Sequence, residues 1–235
     1  MEFSIDHELL AQSRTVLNQR KKLCWIVGGA GSGKSTISKA LATKFKIPIY
    51  DMDAQIYGAY HGRYTPERHP VNKTWSTAKN GLAFLLDMSW DEYNNFNQAA
   101  LPEYMDLLAE DLDGTDPNAS MLIDGGICNP ALVAQVISPR QIICLAGPER
   151  SSAEIWEGSD ERGAMKGYIN QLPKPEGAWR KFLEFDEKIT KTILNESQEI
   201  GIRICTRSET ETVVNFARKV GQVLGIQAKS QEAFS

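Results

Sequence analysis

The sequence predicts a three-layer α/β/α sandwich built on a five-stranded parallel sheet, and three observations carry that expectation. Short apolar, β-prone runs recur at Leu23 to Val27, Ile47 to Tyr50, Met121 to Ile123, Gln141 to Ala146 and Ile202 to Thr206. Helical patterns at 36–45, 130–137, 176–198 and 210–224 separate most of them. The runs fit parallel strands joined by right-handed crossovers, with helices covering both faces. With 235 residues and 42% hydrophobic content, the chain can bury one substantial core but hardly two, so a single domain is expected.

In chain order, residues 1–21 add an N-terminal amphipathic helix over 6–20, with Asp6 as its cap and Leu9, Leu10, Val16 and Leu17 on one side. The core is expected over 22–53 and 120–226. Its first strand leads straight into a glycine-rich turn and a helix, and its second ends at Asp51-Met52-Asp53. Residues 54–119 exceed what a crossover needs and read as a helical substrate-binding insertion. That insertion opens with an aromatic and basic segment (Tyr57, Tyr60, His61, Arg63, Tyr64, Arg68, His69, Lys73, Trp75) and turns acidic. The stretch 147–175 holds Arg150, Arg162 and Lys166 among Gly, Ser and Glu, a composition suited to a mobile lid. Residues 227–235 are polar and expected to fray.

Charge narrows the choice of partner. The formal net charge is −4, and residues 80–139 carry ten acidic residues and no Lys or Arg. A broad cationic track for nucleic acid is therefore unexpected, and a small-molecule partner fits better. Cys24, Cys128, Cys144 and Cys205 are scattered without a C-x-x-C pair, as suits a reducing compartment. The first 22 residues lack an apolar signal core, and no run approaches the roughly 18 apolar residues of a membrane span. A cytoplasmic protein without a membrane partner is the expectation.

Gly28-Gly29-Ala30-Gly31-Ser32-Gly33-Lys34-Ser35 matches G-x-x-x-x-G-K-[ST] at every fixed position, between an expected strand and an expected helix. Glycines let the backbone curl its N–H groups toward phosphate oxygens, and the following helix adds the positive end of its dipole. In this P-loop, Lys34 would neutralise the β- and γ-phosphates of ATP, Ser35 would supply a hydroxyl to Mg²⁺, and Thr36 could bond the α-phosphate.

With its P-loop, its Asp51-Met52-Asp53 segment and Ile123-Asp124-Gly125-Gly126, the chain resembles the small-molecule and nucleoside monophosphate kinases of the P-loop class, such as shikimate, gluconate and adenylate kinases. The resemblance covers about half the chain. It implies an ATP- and Mg²⁺-dependent phosphotransferase acting on a small-molecule hydroxyl or phosphate acceptor, with Asp51 on the metal side and Asp53 on the substrate side. It also implies a backbone approach for substrate at Gly125-Gly126, a Walker B role for Asp124, and lid arginines at Arg150 and Arg162 that meet the phosphates. By the same resemblance, Arg207-Ser208-Glu209-Thr210 would lie near adenine. Asp51 and Asp53 followed by Arg68-His69-Pro70 resemble, more loosely, the zeta-toxin kinases.

Elementary chemistry points the same way. Carboxylates at the C-terminal ends of adjacent parallel strands face the crevice where open α/β sheets bind ligands. Mg²⁺ prefers one or two of them plus phosphate and water oxygens, and Asp51, Asp53 and Asp124 are the natural pool, beside the Ser35 hydroxyl; Asp51 and Asp124 are the expected metal-side pair. Either member of the Asp51/Asp53 pair could instead cap the next helix. Arg63 and Arg68, with His61, His69 and Tyr64, could bind a polar or anionic acceptor. Trp25, Trp156 and Trp179 read as packing residues. Among rival functions, a motor-type hydrolase usually places glutamate after the Walker B aspartate, where this chain has Gly125. A GTPase's Asn-Lys-x-Asp is not matched by Asn72-Lys73-Thr74-Trp75. A regulatory nucleotide-binding module without turnover stays open, as does a polynucleotide 5′-hydroxyl kinase using a local patch at Arg63, Arg68 and Lys73.

Overall fold

The computed structural model describes residues 3–158 and 160–226. Five strands form one parallel sheet: β1 (Leu23–Val27), β2 (Ile49–Asp51), β3 (Met121–Asp124), β4 (Ile142–Ala146) and β5 (Arg203–Thr206), in the order β2-β3-β1-β4-β5. All five residues of the central β1 are buried. Their alternation divides the interior into two cores. Leu23, Trp25 and Val27 join Ile123, Ile142 and Cys144 on one face, whereas Cys24 and Ile26 join Leu122, Ile143, Leu145 and Cys205 on the other.

Two helices cover the second face: α2 (Lys34–Phe45) through Ile37 and Leu41, and the C-terminal α11 (Val213–Val223) through Phe216 and Val220. The first face is wider. It takes α1 (His7–Leu17), the insertion helices α3 (Met52–Ile56), α4 (Pro70–Ser76), α5 (Gly81–Asp87) and α6 (Trp90–Leu112), then α7 (Pro130–Val136) and α10 (Pro175–Glu199). Asp6 caps α1 by accepting from Leu9 N at 2.8 Å, as its sequence position suggests. The expected flap is largely helical, with α8 (Ser152–Glu157) and α9 (Asp160–Ile169). A capping box between Ser151 and Glu154 nucleates α8 within that polar composition, which is why composition alone reads as loop. Residues 227–235 lie outside the described residues. Among those described, no helix is long and apolar enough to cross a membrane.

The basic segment of the insertion folds inward onto the acids of α6. Arg63 bonds Asp111 at 2.6 Å and Glu110 at 3.1 Å, and Arg68 grips Asp106 through Nε at 2.5 Å and a terminal nitrogen at 2.6 Å. Buried His69 meets the same carboxylate at 3.0 Å. Although burial opposes ionisation of Asp106, His69 and Arg68 together hold its carboxyl below the ordinary aspartate range.

Glu103, one turn earlier on α6, accepts from Asn72 Nδ2 at 2.7 Å, Asn72 N at 2.8 Å and Val71 N at 2.9 Å, so it pins the start of α4. Burial nevertheless pushes its carboxyl up from 4.5 to about 7. A group that binds its proton more tightly when folded stabilises the fold below its unfolded value, and that contribution is lost as pH rises through the folded value. Stability of the native chain should therefore fall by roughly 3 kcal/mol between about pH 4.5 and 7 relative to Glu103→Gln, whose stability lacks this slope. Urea midpoints of both proteins across that range check the expectation.

Candidate active site

The P-loop is wedged between β4 and α10, and its glycines permit the fit. Gly28 has φ 149°, and a Cβ there would lie 2.4 Å from the Leu145 carbonyl oxygen of β4. On Gly29 a Cβ would meet Thr190 of α10 at 2.2 Å. Gly33 occupies the N-cap of α2 in a left-handed conformation and offers no capping side chain. The first N–H groups of α2 are thus left for an anion rather than for the helix's own cap.

Lys34 Nζ folds back over the loop and donates to Gly28 O at 2.7 Å and Gly29 O at 3.1 Å. Burial lowers its pKa, while the carboxylates of Asp53, Asp124 and Asp186 favour its charged form and Arg162 opposes it. Three acids and a second cation therefore converge on one lysine.

The acids arrive by separate routes. Asp51 and Asp124 are register partners at the ends of β2 and β3. Asp51 caps α3, accepting from Ala54 N at 3.0 Å. Of the two readings open for it, capping is the one observed, and it engages one of the two oxygens. Asp53 is left free of capping and accepts from Gly126 N at 3.1 Å. It opens on the cleft, yet enclosure by the surrounding protein raises its pKa, with Lys34 opposing and Asp51 and Asp124 adding to the rise. Asp124 is buried, which also raises its pKa, although the hydroxyls of Ser35 and Ser38 and the charge of Lys34 favour the ionised form.

Gly125 has φ 71°, and a Cβ on it would stand 2.4 Å from Asp53 Oδ2, while its carbonyl accepts from the buried Trp25 Nε1 at 2.9 Å. Gly125→Ala should displace the Asp53 carboxylate and strain a left-handed residue, costing about 1–2 kcal/mol of stability. Denaturant unfolding measures that cost.

Two cavities meet at the loop. One, of about 810 Å³, is lined by Gly29 to Gly33, Thr36, Arg150, Arg162, Thr190 and the turn Arg207-Ser208-Glu209 after β5. The other, of about 200 Å³, is lined by Gly28, Gly29, Ala30, Lys34, Asp53 and Gly126, walled by Tyr57, Trp75, Tyr93, Phe96 and Tyr104. Arg162 is held by the Ile155 carbonyl at 3.2 Å and lies over the Trp156 ring. Cys128 also lines the smaller cavity, where burial pushes its thiol up to about 12, so it is no nucleophile at neutral pH.

The structure thus brings together Lys34, Asp53, Asp124, Gly125, Gly126, Arg150 and Arg162 around the loop, and the turn at Arg207 to Glu209 with them. It does not bring Arg63 and Arg68, whose guanidinium groups are taken by α6 and which line neither cavity. The sequence reading missed Asp186, buried on α10 and accepting from Ser152 Oγ at 2.5 Å, and it missed most of the aromatic wall. A signal for the wall was present: Tyr93, Asn97, Leu101 and Tyr104 form one stripe at helical spacing on α6, and all four line the smaller cavity.

No protein-family profile matches the chain. Over 150 residues it is 22% identical to a putative 26S proteasome regulatory subunit homologue of Methanothermobacter thermautotrophicus, covering 62% of this chain and 39% of that protein. Over 151 residues it is 24% identical to the corresponding homologue of Methanothermobacter marburgensis, with the same two coverages of 62% and 39%. The chain therefore spans 39% of the length of these curated relatives. Among solved structures, TT1252 from Thermus thermophilus aligns over 88% of this chain and 98% of its own, at 18% identity and a TM-score of 0.48. NadR protein in complex with NR aligns over 95% of this chain and 56% of its own, at 10% identity and a TM-score of 0.38. The fold itself is read from this chain's own sheet: five parallel strands in the order β2-β3-β1-β4-β5, with helices on both faces.

Proposed function

We propose that this chain transfers the γ-phosphoryl group of ATP to a hydroxyl of a small molecule. The observation that carries the reading is the placement of one loop between two cavities, Gly29 and Ala30 lining both. A module that only binds nucleotide needs the larger cavity alone. The smaller one, with Asp53 and Lys34 in its wall, supplies what a transferase adds: a place for an acceptor beside the γ-phosphate.

In this mechanism the loop's N–H groups and the start of α2 hold the phosphates, and Lys34 exchanges its loop carbonyls for phosphate oxygens. Arg150 and Arg162, in the lining of the larger cavity, offset charge on the transferring group. Asp53 accepts the acceptor's O–H proton as the new O–P bond forms and the bond from the γ-phosphorus to the bridging oxygen breaks, releasing ADP. Its raised pKa, caused by burial in the cleft, makes it a stronger base than an ordinary aspartate.

The donor set fits Mg²⁺: Ser35 and Asp124 would be its hard oxygen ligands, and buried Asp124 Oδ1 has no hydrogen-bond donor. Asp51, with one oxygen still free of its cap, would stand behind them. Bound there, the ion would supply electrostatic neutralisation of the phosphates.

The curated relatives are named as regulatory-subunit homologues of an assembly, and a second possibility for a P-loop chain is a hydrolase within one. The residue after Asp124 weighs against it, because Gly125 stands where such hydrolases usually carry a water-activating glutamate. The pairing of Arg63 and Arg68 with α6 acids likewise favours a small molecule over a polynucleotide end. ADP release with Mg²⁺ across a panel of hydroxyl acceptors tests the proposal. One acceptor should stimulate release well above the background hydrolysis, and a stimulation-free panel with intact ATP binding would favour the regulatory module.

A further inference from the structure

The smaller cavity does not end at its own walls. A third cavity, of about 360 Å³, continues from it, sharing Tyr57, Trp75, Leu85, Tyr93 and Ile189, and reaches Met165 and Tyr168 on the lid helix α9. Lys34 and Asp53 are the charged residues in the lining of the inner part, and Asp186 is the one in the outer part. No arginine, and no lysine besides Lys34, lines either part among the described residues. Lys34 itself donates to the loop carbonyls and, in the mechanism above, turns from them to the phosphates of ATP. An acceptor bearing a phosphate or carboxylate would enter without a cation to meet it, and would face Asp53 and Asp186 instead. Burying such an anion unpaired is strongly unfavourable.

The walls suit another chemistry. Tyr57 stands edge-on to Trp75 with ring centroids 5.8 Å apart, and Tyr93 of α6 lines the same cavity. Tyr57 and Tyr168 are 66% and 63% exposed, two large aromatic faces turned to solvent at a cavity instead of being packed away. Apolar clefts with a few convergent polar groups recognise flat or apolar bodies, and aromatic faces stack on rings.

Resting on the kinase reading, we infer that the acceptor is an alcohol carried on a flat, non-anionic ring system: the hydroxyl goes to Asp53 and the ring to the Tyr57–Trp75–Tyr93 walls. The inference runs against the acidic and phosphorylated acceptors of the kinases that the sequence resembles. It assigns Tyr57 to specificity rather than to phosphoryl transfer.

Equilibrium binding in matched pairs tests it, with the larger cavity first filled by a non-hydrolysable ATP analogue so that only the acceptor side is open. The probes are uridine against its 5′-monophosphate, a hydroxymethyl-substituted aromatic alcohol against its carboxylated counterpart, and shikimate and gluconate. At least one neutral ring alcohol should bind at least tenfold more tightly than its anionic partner. Tyr57→Ala, a change at an exposed position, should weaken it tenfold or more without altering binding of the ATP analogue. Equal or tighter binding of the anionic members, or no binding of any ring alcohol, overturns the inference. The two readings fail separately: a neutral alcohol that binds but receives no phosphate sinks the kinase proposal alone, whereas transfer to an anionic acceptor sinks the ring-alcohol inference alone.

Discussion

Lys34→Ala is expected to lower acceptor-stimulated ADP release by about 10²- to 10³-fold, the scale seen when one preorganised charge-stabilising group is removed from an active site. The ammonium stands where three carboxylates and Arg162 act on it, so its loss unbalances the whole cluster. The fold should survive, because Lys34 contributes hydrogen bonds to loop carbonyls and no core packing. A thermal midpoint near that of the native chain, measured beside the rate, separates lost chemistry from lost structure.

Asp53→Asn should cost about 10²- to 10⁴-fold in turnover, the range for removal of a positioned general base. The amide can still interact near Gly126 N and keeps the shape of the cleft, so ATP affinity should change little. The pH profile adds a readout that a structural role would not move. Enclosure raises the Asp53 pKa above the ordinary aspartate value of 3.8, and only the ionised form accepts a proton. The native rate should therefore rise with pH along an acid limb placed above the ordinary aspartate range, and that limb should vanish in Asp53→Asn. An unchanged limb in the variant would move the base elsewhere.

The sheet and the loop were legible because their signals are local. Each strand is a short apolar run, and the sequence between Val27 and Lys34 has one conformational use. The capping motif at Asp6 was legible for the same reason. Asp51 and Asp53 were not separable by sequence, since both residue type and position suit either a cap or a ligand; only the backbone decides that Asp51 meets Ala54 N and Asp53 meets Gly126 N. Arg63 and Arg68 misled for a different reason. Their partners Asp106, Glu110 and Asp111 lie 38 to 48 residues away, so what reads as a free basic patch is a set of ion pairs once α6 folds against it. Asp186 and the aromatic walls depend on the meeting of α3, α4, α6 and α10, a long-range arrangement of which only the stripe on α6 leaves a trace.

The central claim is that the loop serves two cavities and passes a phosphoryl group from one to the other. Incubation with ATP labelled at the γ-phosphate, Mg²⁺ and a panel of neutral ring alcohols tests it most directly, by following where the label goes. The account predicts label on an alcohol, abolished in Lys34→Ala and in Asp53→Asn. Label found as inorganic phosphate at a rate indifferent to every alcohol would contradict it.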